Sequence, residues 1–487
     1  MKNPNIVNVE RTNDIALAKL RANYGNPAKG YLEKEADEMR AKILNTGNTE
    51  EYYLIKGTKY YFSTCGNDDN DGLTPETPKA SLDALEALPL KSGDAVLFKR
   101  GDIFRYTRTY RLVDGVTYGS YGEGLKPALY GSPEEYAEND TWREVKPNVW
   151  EIDFPYAYAG GCIIDYSMIM GVQKFRGIDA LAENGDYTND FDNQKFYLYC
   201  DQGKPNEVYH SIEIMNACTI FQMKGNRDII IDNICFKYSS GFAISSPDPK
   251  GNIKITNCEF GFLGGKWFGK EKGRLRYGNA LEVWGGLPDL CVDGFLVKNN
   301  WFYQTYDSAL TWQGNMSGTV YKDFKYTENL FEYNNCDIEF FDRDKSVVEN
   351  FVMSNNIMRF TSMGWGTRTH DGGIRGIEGC IRASTASDSR GAMIVNHAFF
   401  TDNKIDCPAR QIINWNTNAE QKEKIHASGT VLYVDSSYRT LEPCLQGLQD
   451  DLETEAINRR IAKNEQELRE MFPKFEKGAE IHWDEEK

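Results

Sequence analysis

The chain has 487 residues, of which 40% are hydrophobic and 13% aromatic, and its formal net charge is −16. This charge disfavours nucleic acid and anionic membrane surfaces as partners, because both need basic patches on the protein. The five histidines share no ligand spacing, so we expect no zinc site, and no apolar run reaches the ~18 residues of a transmembrane helix.

Cysteine usage indicates a reducing compartment. The chain has 11 cysteines, an odd number, and they form no Cys-x-x-Cys pair. The first residues, Met-Lys-Asn-Pro-Asn-Ile-Val, contain no apolar stretch typical of a secretory signal. We therefore expect a cytoplasmic protein with reduced, mostly buried thiols.

Residues 1–55 are predicted to be an N-terminal helical segment, with one helix after Thr12 and another over 31–44. The β-helix is predicted to begin in residues 56–133, with a strand at Lys59. The acidic loop from Cys65 to Pro78 suggests either a calcium loop or an Asn/Asp/Gly turn. Because its spacing is not that of an EF-hand, we favour the turn and expect no cofactor, with calcium as the alternative.

Residues 134–222 differ from their surroundings, since they carry more turns, charges and aromatic side chains. Runs such as Lys195-Phe-Tyr-Leu-Tyr-Cys predict short strands. We interpret this segment as an inserted antiparallel β module that leans against the main domain.

A repeat is visible in residues 223–438. Each unit is an alternating strand, an asparagine at a turn, an apolar pair and a second strand; the asparagines are Asn233, Asn257, Asn300, Asn329, Asn356 and Asn403. Asparagine tolerates the left-handed backbone of a sharp corner, and identical positions one strand spacing apart can form a ladder. The pattern predicts an all-β fold, a single-stranded right-handed parallel β-helix.

Residues 439–487 are predicted to be a C-terminal helix, because 442–475 are rich in helix formers and Leu448, Leu452 and Ile461 lie near one face. Such a helix would cover the open end of the stack, where unpaired strand edges invite aggregation. The N-terminal helices would cover the other end.

Three strands carry the candidate chemistry. When the repeats are aligned, Leu281, Leu310 and Ile338 coincide. Strand alternation then points the next residue of each strand outward, which places Glu282, Thr311 and Glu339 in one file. Two strand spacings separate the Cα atoms of the two glutamates by ~9–10 Å.

Glycoside hydrolysis needs a carboxylic acid and a carboxylate, ~5–5.5 Å apart in retaining enzymes and ~6.5–9.5 Å apart in inverting ones. The candidates are Glu282, Glu339 and Asp307, which lies at the corner before its strand. Either stereochemistry stays open. A single outward glutamate is more often simply solvated, but three carboxylates on adjacent coils among aromatic and amide groups favour a site.

Further residues are predicted to bind a sugar, because hydroxyl groups need amide or guanidinium partners and the ring needs an aromatic floor. They come from the same coils and from the loop that follows: Arg276, Tyr277, Asn279, Trp284, Thr311, Gln313, Asp337, Trp365, Arg368 and His370. The alternative for the loop is a glycine-rich turn with its tryptophan packed inside.

The combination resembles bacterial right-handed β-helix repeat proteins of the pectate-lyase-like superfamily. The motifs are Gly-Asn-Asp-x-x-Asp-Gly-Leu-Thr-Pro, Arg276-Tyr-Gly-Asn-x-x-Glu-x-Trp, Tyr306-Asp-x-x-x-Thr-x-Gln-Gly and Gly364-Trp-Gly-x-Arg, and the resemblance covers roughly 56–420. It implies a carbohydrate-active enzyme. The chain lacks the paired Asp-Asp and Gly-His-Gly signatures of polygalacturonases and an evident base among calcium aspartates as in pectate lyases, so pectin is disfavoured.

Three functions follow. The leading one is a glycoside hydrolase acting on imported oligosaccharides. The second is a polysaccharide lyase or uronate epimerase, in which Arg368 and His370 would be central. The third is a non-catalytic carbohydrate-binding β-helix. The partner is in each case an oligosaccharide or polysaccharide, and the sequence leaves the oligomeric state open.

Overall fold

The computed structural model describes residues 30–156, 158–267, 276–314, 318–342, 346–367, 379–385, 394–408, 411–415, 423–435, 444–446, 460–461, 464–472 and 475–484. Within them lie helices α1 (Glu33–Leu44), α2 (Pro205–Val208) and α3 (Glu465–Met471). Everything else of regular structure is strand or short 3-10 turn.

Three long sheets dominate the described residues. Sheet 1 contains β1 (Lys59–Phe62), β2 (Ala95–Lys99), β5 (Thr117–Tyr121), β16 (Ile230–Asp232), β19 (Gly251–Thr256), β24 (Cys291–Lys298), β27 (Val320–Thr327), β30 (Val347–Ser354), β33 (Ile394–Thr401) and β36 (Ile425–Ser428). Sheet 2 contains β3 (Ile103–Arg105), β6 (Ala128–Tyr130), β17 (Cys235–Ser239), β20 (Glu259–Leu263), β25 (Trp301–Thr305), β28 (Leu330–Glu332), β31 (Ile357–Arg359), β34 (Lys404–Asp406), β37 (Val431–Asp435) and β40 (Glu480–Asp484).

Sheet 3 contains β4 (Tyr110–Arg111), β15 (Phe221–Gln222), β18 (Ile244–Pro247), β23 (Leu281–Gly285), β26 (Ser308–Gly314), β29 (Cys336–Asp342), β32 (Gly379–Thr385), β35 (Gln411–Trp415), β38 (Cys444–Gln446) and β39 (Arg460–Ile461). Neighbouring strands within each long sheet are parallel, except that β39 pairs antiparallel with β38. From β2 to β38 the chain passes repeatedly from sheet 1 to sheet 2 to sheet 3, with the inserted segment between β6 and β15, and parallel crossovers are right-handed. The predicted right-handed parallel β-helix is confirmed.

At the corner between sheets 1 and 2, one residue bends the backbone and the next forms the ladder hydrogen bonds. The sequence pattern predicts a single asparagine for both roles. In the coil of Asn299 and Asn300, the first residue has the left-handed φ of 57° and the second is fully buried. Asn300 forms the ladder with two hydrogen bonds. Its backbone N–H and its Nδ2 both donate to Asn329 Oδ1, each at 3.0 Å. Asn329 donates in the same way to Asn356. The predicted ladder is therefore present for Asn300, Asn329, Asn356 and Asn403, one residue after the bend, whereas Asn233 and Asn257 occupy the left-handed position of the bend itself.

The interior of the stack is apolar and is ordered by repetition. Phe236, Phe260, Phe302 and Phe331 occupy equivalent positions of sheet 2 and stack with ring centroids 5.1, 4.7 and 5.2 Å apart. All four side chains are fully buried. Offset stacking of this kind adds to the free energy gained from burying each ring.

The inserted segment lies between β6 and β15 and forms its own small sheets. One contains β7 (Arg143–Lys146), β8 (Val149–Asp153), β11 (Val172–Gln173), β12 (Asp186–Asp190) and β13 (Lys195–Tyr199); the other contains β9 (Ala159–Ile164), β10 (Ile169–Met170) and β14 (Ile212–Asn216). Its pairings are antiparallel apart from β11–β12. It has a separate apolar core and an ion pair from Glu213 to Arg105 of β3 at 2.7 Å.

Helix α1 is present as predicted but does not cover the end of the stack. It lies across the outer face of sheet 2, where Arg40 pairs with Glu332 at 2.9 Å and Glu33 pairs with Arg359 at 2.7 Å. Arg359 also pairs with Glu332 of the preceding coil at 3.0 Å and with Asp406 of the following coil at 2.8 Å. Buried carboxylates on this face need cationic partners, and α1 supplies one. The helix predicted after Thr12 lies outside the described residues.

Within the described residues of the C-terminal segment, Glu465–Met471 is helical but Cys444–Gln446 and Arg460–Ile461 are strands, so the continuous helix predicted for 442–475 is wrong in extent. Cys444–Gln446 extends sheet 3 and Glu480–Asp484 extends sheet 2. Strand pairing satisfies the open backbone groups of the last coil directly, and this outweighs a local helix propensity. No helix of the described part of the chain has the length and hydropathy to cross a membrane.

The loop from Cys65 to Pro78 uses its side-chain oxygens to form turns. Asp68 Oδ1 accepts from the N–H groups of Ala80 and Ser81 at 2.8 and 2.9 Å, and Asp71 Oδ1 accepts from Leu73 N–H at 3.0 Å. These bonds favour the interpretation as an Asn/Asp turn.

Candidate active site

The two glutamates lie where the repeat alignment predicts. Glu282 of β23 pairs with Thr311 of β26, which pairs with Glu339 of β29. The preceding residues of these strands, Leu281, Leu310 and Ile338, are buried in the core. Alternation therefore directs the glutamates to the outer face of sheet 3, with Cα atoms two strand spacings, or ~9.6 Å, apart.

The carboxyl group of Glu339 is surrounded by donors. Its Oε2 accepts from Thr311 Oγ1 at 2.8 Å and from Ser308 Oγ at 3.1 Å, and its Oε1 accepts from Arg382 Nη1 at 3.2 Å. The side chain is only 4% exposed. Hydroxyl donors and a guanidinium beside a buried carboxyl group stabilise its negative charge.

Glu282 has a different environment. Its side chain is half-buried, and Ser245 Oγ of the preceding coil donates to its Oε2 at 3.1 Å. Burial raises its pKa to about 7, and the negative charges of Glu339 and Asp307 act in the same direction, while Ser245 and Lys266 oppose them. Near neutral pH this carboxyl group therefore carries a proton for much of the time.

Asp307 completes the group of three carboxylates. It lies in the turn before β26 and is 4% exposed, and its backbone oxygen accepts from Cys336 N–H at 2.9 Å. Because its charge raises the pKa of Glu282, the turn brings it within electrostatic reach of the glutamate file. The structure thus brings the three predicted carboxylates together.

A short antiparallel hairpin lies within electrostatic reach of Glu282. It consists of β21 (Lys266–Trp267) and β22 (Arg276–Tyr277), with Lys266 opposite Tyr277. Tyr277 is half-buried, and burial and the charge of Glu282 raise its pKa. Lys266 lowers the pKa of Glu282. One face of the hairpin is therefore turned toward Glu282.

Two further predicted binding residues lie on the open face. Trp284 and Gln313 are paired across β23 and β26, two residues along from Glu282 and Thr311, and both are half-buried. Gln313 Nε2 donates to Thr311 Oγ1 at 3.3 Å. The outer face of sheet 3 thus combines an indole ring and an amide beside the carboxylates, which is the set of groups that a sugar requires.

Arg276 and Trp365 lie elsewhere than predicted. Both are buried, at 1% and 0% exposed, and the guanidinium of Arg276 lies 4.5 Å from the ring centre of Tyr306. Arg276 donates to the carbonyl oxygens of Gly265 and of Gly160 in the inserted module. Trp365 Nε1 donates to the Gln304 carbonyl at 2.6 Å. Their burial argues against direct contact with a substrate. Arg276 instead connects the inserted module to the stack, and Trp365 connects its own loop to the stack.

Asn279 and Asp337 are also buried rather than exposed on the face. Asn279 Oδ1 accepts from Ser308 N–H at 3.0 Å and so orients a residue that donates to Glu339. Asp337 is fully buried, accepts from Thr361 Oγ1 at 2.5 Å, and has a pKa raised to about 7 by burial. Both residues act on the framework of the site. Arg368 and His370 lie outside the described residues.

Sequence reasoning missed Ser245, Lys266, Ser308 and Arg382. Ser245 and Arg382 continue the file of Glu282 and Glu339 into the coils on either side. The signal was the repeat itself, since Ile244 pairs with Leu281 and Ile381 pairs with Ile338. The long segments between these strands hid the correspondence.

No protein-family model matches the chain, and no curated protein matches it. Among solved structures, the chain is similar to one described as a glycoside hydrolase (11% identity, TM-score 0.42, covering 78% of this chain and 93% of the other). It is also similar to XylC in complex with xylose (11%, 0.41, 77% and 84%) and to a rhamnogalacturonan lyase (11%, 0.37, 80% and 77%).

Proposed function

We propose that the protein is a glycoside hydrolase in which Glu282 is the general acid and Glu339 is the general base. One observation carries this proposal, namely the opposite environments of two glutamates in one file. Burial and neighbouring negative charge raise the pKa of Glu282 to about 7, whereas two hydroxyl groups and Arg382 surround Glu339. Carboxyl groups whose environments diverge in this way divide acid and base roles.

The reaction runs across the outer face of sheet 3. Glu282 donates its proton to the glycosidic oxygen as the bond from that oxygen to the anomeric carbon breaks. Glu339 takes a proton from a water molecule, whose oxygen forms the new bond to the anomeric carbon. The leaving sugar departs as an alcohol, and exchange with solvent then restores the proton on Glu282 and removes the proton that Glu339 has taken up.

The separation of the glutamates favours inversion. Their Cα atoms are ~9.6 Å apart, because Thr311 lies between them. Glu282 bonds to Ser245 on the side away from Glu339, while Glu339 bonds to Thr311 on the near side. Room for a water molecule beside the sugar corresponds to a carboxyl separation of ~6.5–9.5 Å, as in inverting enzymes.

The remaining groups have supporting roles in this proposal. The negative charge of Asp307 adds to the effect of burial in raising the pKa of Glu282. Trp284, Gln313 and Tyr277 contact the sugar rings. Arg368 and His370 stay predicted binding residues.

The test is a screen of neutral and acidic oligosaccharides for newly formed reducing ends, with Glu282→Gln and Glu339→Gln compared with the wild type. Removing either proton-transfer group should lower kcat about 10²- to 10⁴-fold. Glu349→Gln is the matched control, because Glu349 is a half-buried glutamate on β30 of sheet 1. Full activity in both site variants would refute the assignment.

Two other outcomes would replace the proposal. An unsaturated product that absorbs in the ultraviolet would show elimination from a uronate rather than hydrolysis. Saturable binding of a glycan without turnover, unchanged by either substitution, would show a binding protein.

A further inference from the structure

A second concave site lies between the inserted module and the hairpin β21–β22. It has a volume of about 630 Å³, and Trp267 contributes to its wall from the hairpin, together with residues of β11 and β12 and the turn that follows β12. Pockets that hold small ligands have volumes of about 300–1,000 Å³. The cavity is therefore large enough for one or two sugar rings.

Five aromatic residues line this cavity, and three of them are in ring contact with one another. Phe191 stacks on Tyr158, with ring centroids 5.4 Å apart and planes inclined by 13°, and on Trp267, at 5.8 Å and 24°. Tyr158 and Trp267 are 6.0 Å apart. Phe191 is 41% exposed, although it belongs to a turn that could have carried a polar residue. Of these rings, Tyr158 is buried, Trp267 is half-buried and Phe191 is exposed, and an exposed aromatic ring matches the apolar C–H face of a pyranose.

Polar groups accompany the rings. Gln173 Oε1 accepts from Tyr158 O–H at 2.6 Å, so the amide oxygen is occupied and its NH2 group is oriented as a donor. Asn189 also lines the cavity, and its buried Oδ1 accepts no hydrogen bond from any described residue. An unsatisfied buried acceptor destabilises the protein, and a hydroxyl group of a ligand would satisfy it.

The charge of the lining selects against anions. Asp190 and Asp192 contribute carboxylates, and the described residues that line the cavity include no lysine or arginine. A uronate or phosphate would meet negative charge without a cationic partner. A neutral polyhydroxylated ring fits this set of groups.

The cavity is separate from the glutamates. In the hairpin, Lys266 is paired with Tyr277 and Trp267 with Arg276, and neighbouring residues of a strand point to opposite faces. Lys266 and Tyr277 interact electrostatically with Glu282, whereas Trp267 stacks with Phe191 and Arg276 donates to Gly160 of the inserted module. The two sites therefore lie on opposite faces of one hairpin.

We propose that this cavity is a second, non-catalytic binding site for a neutral sugar unit, formed jointly by the inserted module and the hairpin. The cavity and its aromatic wall stand on their own, while the choice of a sugar rests on the proposed function. The site would hold one part of a glycan while another part occupies the outer face of sheet 3.

The test uses the full chain carrying Glu282→Gln, so that a bound glycan is not consumed, and Phe191→Ala introduced into it. Binding of neutral xylo-, gluco-, manno- and galacto-configured di- and trisaccharides is measured by calorimetry. We expect at least one to bind and Phe191→Ala to weaken it about tenfold, a loss of about 1.4 kcal/mol. Leu54→Ala is the control, since Leu54 is 83% exposed and remote from the cavity lining.

The outcomes separate this inference from the proposed function. No saturable binding up to about 20 mM, or equal binding by the Phe191→Ala protein with its unfolding transition unchanged, would overturn the second site. Loss of binding in Phe191→Ala without hydrolysis of any glycan by the wild type would keep the site and remove the hydrolase. Hydrolysis that depends on Glu282, together with binding that is unchanged in Phe191→Ala, would support the hydrolase and overturn the second site.

Discussion

Glu282→Gln should stabilise the protein at alkaline pH. Burial in the folded protein raises the pKa of Glu282 from 4.5 to about 7, so the folded state binds a proton more tightly than the unfolded chain does. The stability associated with this group is fully present below pH 4.5 and is lost as pH rises through about 7. Glutamine has no charge to desolvate and keeps an acceptor for Ser245.

The magnitude follows from the shift. A difference of about 2.5 pKa units corresponds to about 3 kcal/mol, and since Glu282 is only half-buried, solvent screening reduces the expected effect to about 2 kcal/mol. The free energy of unfolding of the variant should therefore exceed that of the wild type by about 2 kcal/mol at pH 8 and equal it near pH 4.

Urea unfolding followed by the fluorescence of the nine tryptophans measures this difference at several pH values. Glu123→Gln is the control, because it makes the same substitution at an exposed glutamate. A difference that is independent of pH, or a variant that is less stable at pH 8, would refute the reasoning about the environment of Glu282.

Three further predictions concern the site and its framework. The kcat/KM of the wild type should fall as pH rises through about 7, because Glu282 must be protonated to act as the acid; a rate that rises there would contradict this role. Arg382→Met leaves the buried Glu339 without its cationic partner, so steady-state kinetics should show kcat lowered about 10- to 100-fold with a smaller change in KM, and a change in KM alone would point to substrate binding instead. Asn329→Ala removes the ladder bonds to Asn300 and Asn356, and urea unfolding should show a loss of about 2–4 kcal/mol, whereas a loss below about 0.5 kcal/mol would mean that the ladder does not stabilise the stack.

The part of the site that was predictable from the sequence depends on strict alternation. Once Leu281 and Leu310 are aligned, a strand period of two leaves one outward position for Glu282, and a slip of one residue would bury it. The asparagine corner was also predictable, because asparagine recurs at that corner along the chain. The sequence did not show which of Asn299 and Asn300 bends the backbone and which forms the ladder, because both are asparagines and residue type does not reveal φ.

The remaining features depend on contacts between distant segments. Arg276 has the residue type of a sugar-binding group, and only the docking of the inserted module shows that its donors are used by Gly160 and Gly265. The C-terminal segment has helix formers, yet the open edge of sheet 3 recruits Cys444–Gln446 as a strand. Both outcomes are set by tertiary partners that local patterns do not contain.

Glu282 and Glu339 are proposed to act as a pair from opposite sides of the glycosidic bond. The configuration of the first product is the most direct test of this pairing. Proton NMR of the anomeric signal during the first minutes of hydrolysis, before mutarotation, measures it. Two glutamates separated by the coil of Thr311 predict inversion, because a water molecule attacks directly. A product that retains the configuration of the substrate would contradict this account, since it requires a nucleophile within ~5–5.5 Å of the acid.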